Sequence, residues 1–183
     1  MKRQIMVLVV LLFSFAISSF AGKISYSVDP STASPQPATV VKNSEGETVI
    51  IFNVSALEGG EVFSFVLDMK ATGSNITFPV NAGMKIKGNK KGADVGFEPS
   101  QVVFNDAENN VSTVVTVTIP SGNYDKTKKI KVKIKADSEN GKGLGNGAGV
   151  KVVIAKTSST QEFMQIIEEE IQEMFEQKTE TKQ

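Results

Sequence analysis

The chain has 183 residues, and its 20 basic and 20 acidic side chains give a formal net charge of zero. Hydrophobic residues make up 40% of it, which is enough for one domain with a core, and the neutral balance gives no long-range attraction to nucleic acid. It contains no cysteine and no histidine. This excludes thiol nucleophiles, disulfides, zinc sites built on imidazole or thiolate, and histidine-based catalytic pairs. We therefore expect no cofactor, and only carboxylates, Ser-Lys pairs and carboxylate-bound metals remain for catalysis.

The N-terminus carries a pattern typical of export. Lys2 and Arg3 precede an apolar stretch over residues 5–20, and small residues at Ser19 and Ala21 then mark a cleavage site. The apolar stretch is shorter than the roughly 20 residues that a membrane span needs. The pattern therefore predicts a signal peptide over residues 1–21 and a secreted or periplasmic protein with no transmembrane segment after cleavage.

Residues 22–157 form the predicted body of the protein, with short strands separated by turns. Over residues 62–69, apolar side chains alternate with polar ones, as in a strand that buries one face. Glu58-Gly59-Gly60-Glu61 before it predicts a tight hairpin. Further strands are predicted at residues 24–28, 49–57, 75–80, 84–87, 94–97, 102–104, 113–119, 129–136 and 150–155. About eight to ten such strands predict an all-β fold, an antiparallel β-sandwich.

The glycine-rich stretch over residues 141–149 is the one motif of the body that suggests phosphate binding. A phosphate cradle needs the N-terminus of a helix directly after the loop. A β-like run follows here instead, so the stretch predicts a flexible hairpin loop.

Residues 158–183 predict an acidic amphipathic helix and tail. Ser159 and Glu162 have the spacing of a capping box, and apolar residues recur at helical intervals at Phe163, Ile167, Ile171 and Met174. Seven glutamates, Glu170 among them, are expected on the opposite side. Residues 159–183 carry a net charge of −5 from seven glutamates and two lysines, whereas residues 22–158 carry +3 from 16 lysines and 13 acidic residues. This segregation predicts that the tail meets a basic surface, within one chain or between two.

The turn-and-strand pattern resembles a known family. The run from Gly96 through Pro99-Ser100 to Phe104, the strand that ends at Pro120, and the segment from Tyr124 to Ala136 resemble bacterial extracellular immunoglobulin-like domains. Calx-beta domains are the nearest variant, because of the glycine-rich loop and the last strand. The resemblance implies an immunoglobulin-like β-sandwich that serves adhesion, spacing or surface assembly. Where a calcium-binding member would carry acidic residues, this chain has Lys126, Lys128 and Lys129. No calcium site is therefore inferred.

Two sets of residues are candidates for binding a partner. Alternate residues on one face of a strand are about 6.6 Å apart, so four lysines at alternate positions would form a basic stripe for an anionic glycan or an acidic helix. The alternative is a solvated face whose lysines block pairing at a sheet edge. The apolar side of the C-terminal helix packs back on the sandwich, pairs with another helix in a homo-oligomer, or stays loosely ordered. The candidate residues are Lys129, Lys131, Lys133, Lys135, Phe163, Ile167, Ile171 and Met174.

These observations favour a non-catalytic exported module of the cell envelope, with a binding or structural role and a helix for docking or assembly. The expected partner is a protein or an anionic glycan, and no nucleic acid. Two alternatives remain. One is a small carboxylate-dependent glycan hydrolase, which needs two carboxylates about 5 to 9 Å apart in a cleft. The other is a periplasmic carrier or chaperone that holds its partner with the helix.

Overall fold

The computed structural model describes residues 22–42, 47–89, 91–138 and 143–180. The predicted signal peptide, residues 1–21, lies outside this part of the chain. The described residues contain mainly β-strands, one turn of 3-10 helix at Pro30–Thr32 and one long helix. In chain order the elements are β1 (Gly22–Val28), β2 (Ala38–Lys42), β3 (Thr48–Val54), β4 (Val62–Thr72), β5 (Val80–Asn89), β6 (Asp94–Glu98), β7 (Gln101–Phe104), β8 (Asn110–Thr118), β9 (Lys129–Ser138), β10 (Leu144–Gly145), β11 (Val150–Lys156) and α1 (Thr160–Glu180).

The strands form two sheets that share one hydrophobic core. Sheet one has the order β10-β1-β4-β8-β6, and sheet two has the order β2-β3-β11-β9-β5-β7. The sheets meet where Phe52 of β3 packs against Phe63 and Phe65 of β4, with ring centroids 5.1 Å and 6.4 Å apart. Such tilted ring pairs add to the free energy gained by removing the rings from water. The core therefore holds two β layers together without a disulfide.

Period-two alternation in the sequence decides which side chains enter this core. The apolar residues that alternate in β4 are confirmed as inward, because each of them is buried while its neighbours along the strand are less so, and β8 has the same alternation of burial. The same holds for the apolar residues of β9. The buried sets are Phe63, Phe65, Leu67, Met69, Thr113, Val115, Val117, Ile119, Ile130, Val132, Ile134 and Ala136.

The prediction of purely antiparallel sheets is wrong at two strand pairs. β11 lies parallel to β3, with Val150 opposite Thr48 and Lys156 opposite Val54, and the short β10 lies parallel to β1. The hairpin predicted at residues 58–61 is also wrong, because the strands on either side of it belong to different sheets. Gly59 and Gly60 do adopt the positive φ of a tight turn. The chain uses that turn to cross from sheet two to sheet one.

Two further predictions differ from the structure. Of the strand predicted at residues 75–80, only Val80 is in a strand, and the preceding residues form a connection to β5. The described part of the glycine-rich stretch contributes β10 to sheet one and is not merely a hairpin loop. At Gly147, where φ is +65°, a Cβ atom would meet the carbonyl oxygen of Ile24, so this glycine lets the loop lie against β1.

The centre of sheet two is buried on both faces. Ile50 and Phe52 of β3 enter the core between the sheets, while Val49 and Ile51 face the other way and are buried as well. The C-terminal helix covers this outer face. No helix in the described ranges is long and apolar enough to cross a membrane.

Candidate interaction surface on the second sheet

Helix α1 lies on the outer face of β3 and β11. Ile166 and Met174 of the helix form a second hydrophobic cluster with residues of these two strands, and Phe163, Ile167 and Ile171 pack at its margin. The strand residues of this cluster are Val49, Ile51, Val153 and Ala155. Of the three arrangements that the sequence left open for the helix, the structure has the one in which it packs back on its own chain. All four apolar helix candidates lie at this contact.

The face that α1 turns to the sheet differs from the predicted one. Ile166 and Met174 are buried, and Glu170 between them is 0% exposed, although the sequence pattern places Glu170 on the solvent side. Ile167 and Ile171 are only partly buried. Positions 166, 170 and 174 are four residues apart and therefore share one face of a helix. The apolar pattern alone missed this face because its middle position is a charged residue.

Glu170 is buried among three lysine ammonium groups. Its Oε1 atom lies 3.2 Å from Nζ of Lys129 and 2.8 Å from Nζ of Lys131, and its Oε2 atom lies 3.4 Å from Nζ of Lys151. An unpaired buried carboxylate would be very costly, so the lysines make its burial tolerable. The opposite charges of tail and sheet thus meet within one chain.

Two more glutamates of α1 extend this ion cluster towards solvent. The Glu173 carboxylate pairs with Nζ of Lys131 at 2.7 Å and with Nζ of Lys151 at 3.3 Å. The Glu169 carboxylate lies 2.8 Å from Nζ of Lys129. Burial alone would raise the pKa of Glu173, but the bonds and charges of Lys131 and Lys151 outweigh it and hold that pKa below its ordinary value. Burial likewise opposes the charge on Lys129, yet the nearby glutamates raise its pKa. Both groups are therefore held in their charged forms.

The start of the helix is capped as the sequence predicts, with one variation. The backbone N–H of Glu162 donates to Oγ of Ser159 at 3.2 Å, which is the expected half of the capping box. The Glu162 carboxylate accepts from the backbone N–H of Ser158 at 2.8 Å, one residue further back than the usual partner. This bond lowers the pKa of Glu162. The cap fixes the helix axis directly after β11.

The four lysines of β9 have two different surroundings. Lys129 and Lys131 pair with the glutamates of α1, whereas Lys133 lies 3.8 Å from Glu47 and is 41% exposed. Lys135 forms no ion pair with any side chain that the structure describes, a set that stops at residue 175 of the helix. β9 lies between β11 and β5, so these lysines do not protect a sheet edge. The edge-blocking interpretation is therefore wrong.

The uncovered end of the stripe continues onto β5. Lys85 lies directly opposite Lys135 in the strand register, and it pairs with Asp137 two residues further along β9. Lys85 lowers the pKa of Asp137 most, and the charge of Lys87, an exposed residue two positions further along β5, lowers it further. The structure thus adds two lysines to the basic surface that sequence analysis did not connect with β9.

Next to these lysines lies an open groove of about 560 Å³. Gly83 faces it, and there is no atom within 4 Å of the position a Cβ would take at Gly83. Apart from Ala82, the surrounding side chains are polar. Those that line the groove are Asn81, Lys85, Gln101, Asp137 and Ser138.

One wall of the groove is held by the glycine-rich segment. Asn146 donates from Nδ2 to Asp137 at 2.6 Å, and its Oδ1 accepts from the backbone N–H and the hydroxyl of Ser138 at 2.8 Å and 2.7 Å. The Tyr26 hydroxyl donates to the carbonyl of Asn146 at 2.6 Å. These bonds fix the orientation of Asp137 before any ligand arrives.

Two features of the described residues bear on a metal or hydrolase centre. No group of three or more acidic residues in it is arranged to hold a metal ion. A smaller groove of about 300 Å³ contains Asp125 and Glu162. Glu162 is engaged in the helix cap, and its pKa is lowered, whereas a general acid of a glycosidase needs a raised pKa. Glu162 is therefore not suited to be that acid.

Sequence reasoning identified the lysine stripe and the helix but missed three residues that define the site. Lys151 interrupts an apolar run in β11, and Glu170 interrupts the apolar side of α1, so each is a single charged residue within a buried pattern. Two such interruptions of opposite charge are a signal for a buried ion pair. Lys85 carried no such signal, because only the β5–β9 pairing brings it beside Lys135.

No protein-family model matches the chain, and no curated protein matches it.

Proposed function

We propose that this protein is a non-catalytic exported module of the cell envelope, an immunoglobulin-like β-sandwich with a binding or structural role. The observation that carries the proposal is the division of the basic surface of sheet two. Helix α1 neutralises Lys129, Lys131 and Lys151, while Lys85 and Lys87 of β5 are exposed and Lys135 is half-buried beside a polar groove. A charged surface held in place by the fold and left uncovered suits a binding module.

In this proposal the helix serves the module as a docked strap. Its apolar side already contacts β3 and β11 of the same chain. That contact supports docking over the carrier or chaperone alternative, in which the apolar side would hold a partner. It also supports a monomeric helix contact over pairing between two helices.

Co-sedimentation with isolated envelopes tests the proposal. The purified protein should sediment with cell envelopes of its source organism, and raised salt should release it because salt screens exposed charges. The exported form should begin at Gly22 when its N-terminus is sequenced. Protein that stays in the supernatant with every envelope fraction would contradict the proposal, as would turnover in a hydrolase screen that a single Asp or Glu substitution abolishes.

A further inference from the structure

The part of sheet two that α1 leaves uncovered has more positive than negative side chains. Among the side chains that the structure describes, Lys85 pairs with Asp137 and Lys133 lies 3.8 Å from Glu47, while Lys87 and Lys135 have no ion-pair partner. The helix glutamates whose ion pairs the structure describes, Glu169, Glu170 and Glu173, pair with Lys129, Lys131 and Lys151 at the other half of the stripe. An anion is therefore the ligand that this surface would attract.

The strand register makes this surface electrostatically unfavourable by itself. Lys85 and Lys135 are directly opposite each other on neighbouring antiparallel strands. Like charges at such positions destabilise a sheet. Asp137 compensates one of the two ammonium groups through its pair with Lys85. A negatively charged ligand beside Lys135 would compensate the other.

The groove next to these lysines adds hydrogen-bonding groups. The lining contains the amides of Asn81 and Gln101, and Gly83 leaves space among them. Asp137 and Ser138 are bonded to Asn146, and their oxygens keep lone pairs that can accept. Groups of this kind donate to and accept from sugar hydroxyls. We propose that the Gly83 groove and the lysines beside it bind an acidic polysaccharide, with hydroxyls in the groove and carboxylates on Lys135 and Lys87. This inference rests on the proposed binding function and names its ligand class.

An acidic protein is the competing ligand, and the lining of the groove disfavours it. Protein interfaces have an apolar centre rich in aromatic residues. Five polar side chains, Gly83 and Ala82 line the groove, and none of them is aromatic or a large aliphatic residue. A chain of hydroxylated, charged sugars matches that lining better.

Calorimetric titration of the purified protein with alginate, a polymer of uronic acids, tests the inference. We expect binding that weakens with salt. Lys135→Glu should weaken it about tenfold or more, because it removes one ionic contact and adds a repulsive one. Gly83→Phe should do the same by filling the groove. Thermal unfolding of Gly83→Phe should match that of the wild type, because the position of the added Cβ is open.

Matched controls separate the site from general charge attraction. Lys23→Glu makes the same charge change at an exposed position of β1. Gly96→Phe adds the same ring at an exposed position of β6, where the nearest side-chain atom is 4.0 Å from the new Cβ. Both should bind alginate like the wild type. Equal loss in Lys23→Glu, or no loss in Gly83→Phe, would overturn the groove as the site. So would selective binding of polyglutamate, which would identify an acidic protein as the ligand.

Absence of alginate binding in the wild type would also overturn the inference about the ligand. It would leave the proposed function standing if the protein still sediments with envelopes, so the two failures are distinguishable.

Discussion

Glu170 and Lys151 show how a charged residue can occupy an apolar surface. Glu170 has no exposed surface, and the side chain of Lys151 is 9% exposed. Each is enclosed by the cluster that α1 forms with β3 and β11. A buried ion pair of this kind adds little net stability compared with apolar residues, but removing one partner is costly because the other charge stays buried.

We expect Glu170→Gln to lower the free energy of unfolding by about 2 to 3 kcal/mol, somewhat less than for a fully buried pair because Lys129 and Lys131 reach water. Glu169→Gln should cost about 0 to 1 kcal/mol, because Glu169 is 56% exposed. Urea denaturation of both variants measures the difference. Equal costs would contradict the buried position of Glu170.

Glu173 gives the helix contact a dependence on pH. Its pKa in the folded protein lies below the ordinary 4.5. The charged form is thus favoured by folding, and the resulting stability is present above pH 4.5 and lost as the pH falls through the folded pKa. Lys129, whose pKa is raised above 10.5, contributes below that pH and loses its contribution as the pH rises through its folded pKa.

The midpoint of thermal unfolding should therefore be higher in the wild type than in Glu173→Gln at neutral pH. The difference corresponds to about 1 kcal/mol or less, since Glu173 is 40% exposed. It should shrink as the pH falls below 4.5. A difference that stays constant into strong acid would show that the Glu173 charge does not act at this contact.

At the scale of the element, α1 is held by apolar contact and oriented by charge. A fully buried Ile or Met side chain contributes about 1.5 to 3 kcal/mol, whereas each exposed ion pair contributes about 0 to 1 kcal/mol. Ile166 is the most buried apolar residue of the middle of the helix, at 6% exposure, and Met164 is 50% exposed. The sequence pattern favoured Ile167 as a main apolar contact of the helix with the sheet, whereas in the structure Ile166 makes that contact.

Ile166→Asp should release the helix from the sheet, because it places an unpaired carboxylate in the apolar cluster. Limited proteolysis should then cleave residues 160–175 faster than in the wild type, by about tenfold or more for a loss of at least about 1.4 kcal/mol. Met164→Asp introduces the same group on the exposed side and should leave the rate unchanged. Equal rates in Ile166→Asp and the wild type would contradict docking of the helix.

At the scale of the whole molecule, α1 acts as a third layer over part of sheet two. Without it, Val49, Ile51, Val153 and Ala155 would form an apolar patch on the outer face. Large exposed apolar patches promote association. The helix thus keeps the centre of the sheet from contacting other molecules while the β5–β9 region stays open.

Deletion of residues 159–183 should therefore shift the protein towards dimers or larger species in size-exclusion chromatography with light scattering. A shorter truncation that removes residues 176–183 keeps Ile166, Glu170 and Met174 and should elute like the wild type. If the protein without residues 159–183 also elutes like the wild type, the uncovered patch does not associate.

The sequence by itself determined most of the strands, the inward residues of β4, β8 and β9, and the amphipathic helix. These features depend on periods of 2 and 3.6 residues, which are local properties of the chain. The burial of β3 and β11 on both faces also has a sequence signal, because unbroken apolar runs are typical of such strands. The runs are Val49-Ile50-Ile51-Phe52 and Val152-Val153-Ile154-Ala155.

Only the tertiary structure decided which strands are neighbours and in which direction they run. Alternation is the same in parallel and antiparallel strands, so the pairing of β3 with β11 had no local signature. The same pairing sets which lysines are neutralised. β9 lies between β11 and β5, so one half of its stripe meets the glutamates of α1, and Lys135 meets Lys85. The charges in the sequence predicted that the acidic tail and a basic surface attract each other. The long-range register of the sheet decided that Lys129 and Lys131 lie at the helix glutamates and that Lys135 lies beside Lys85.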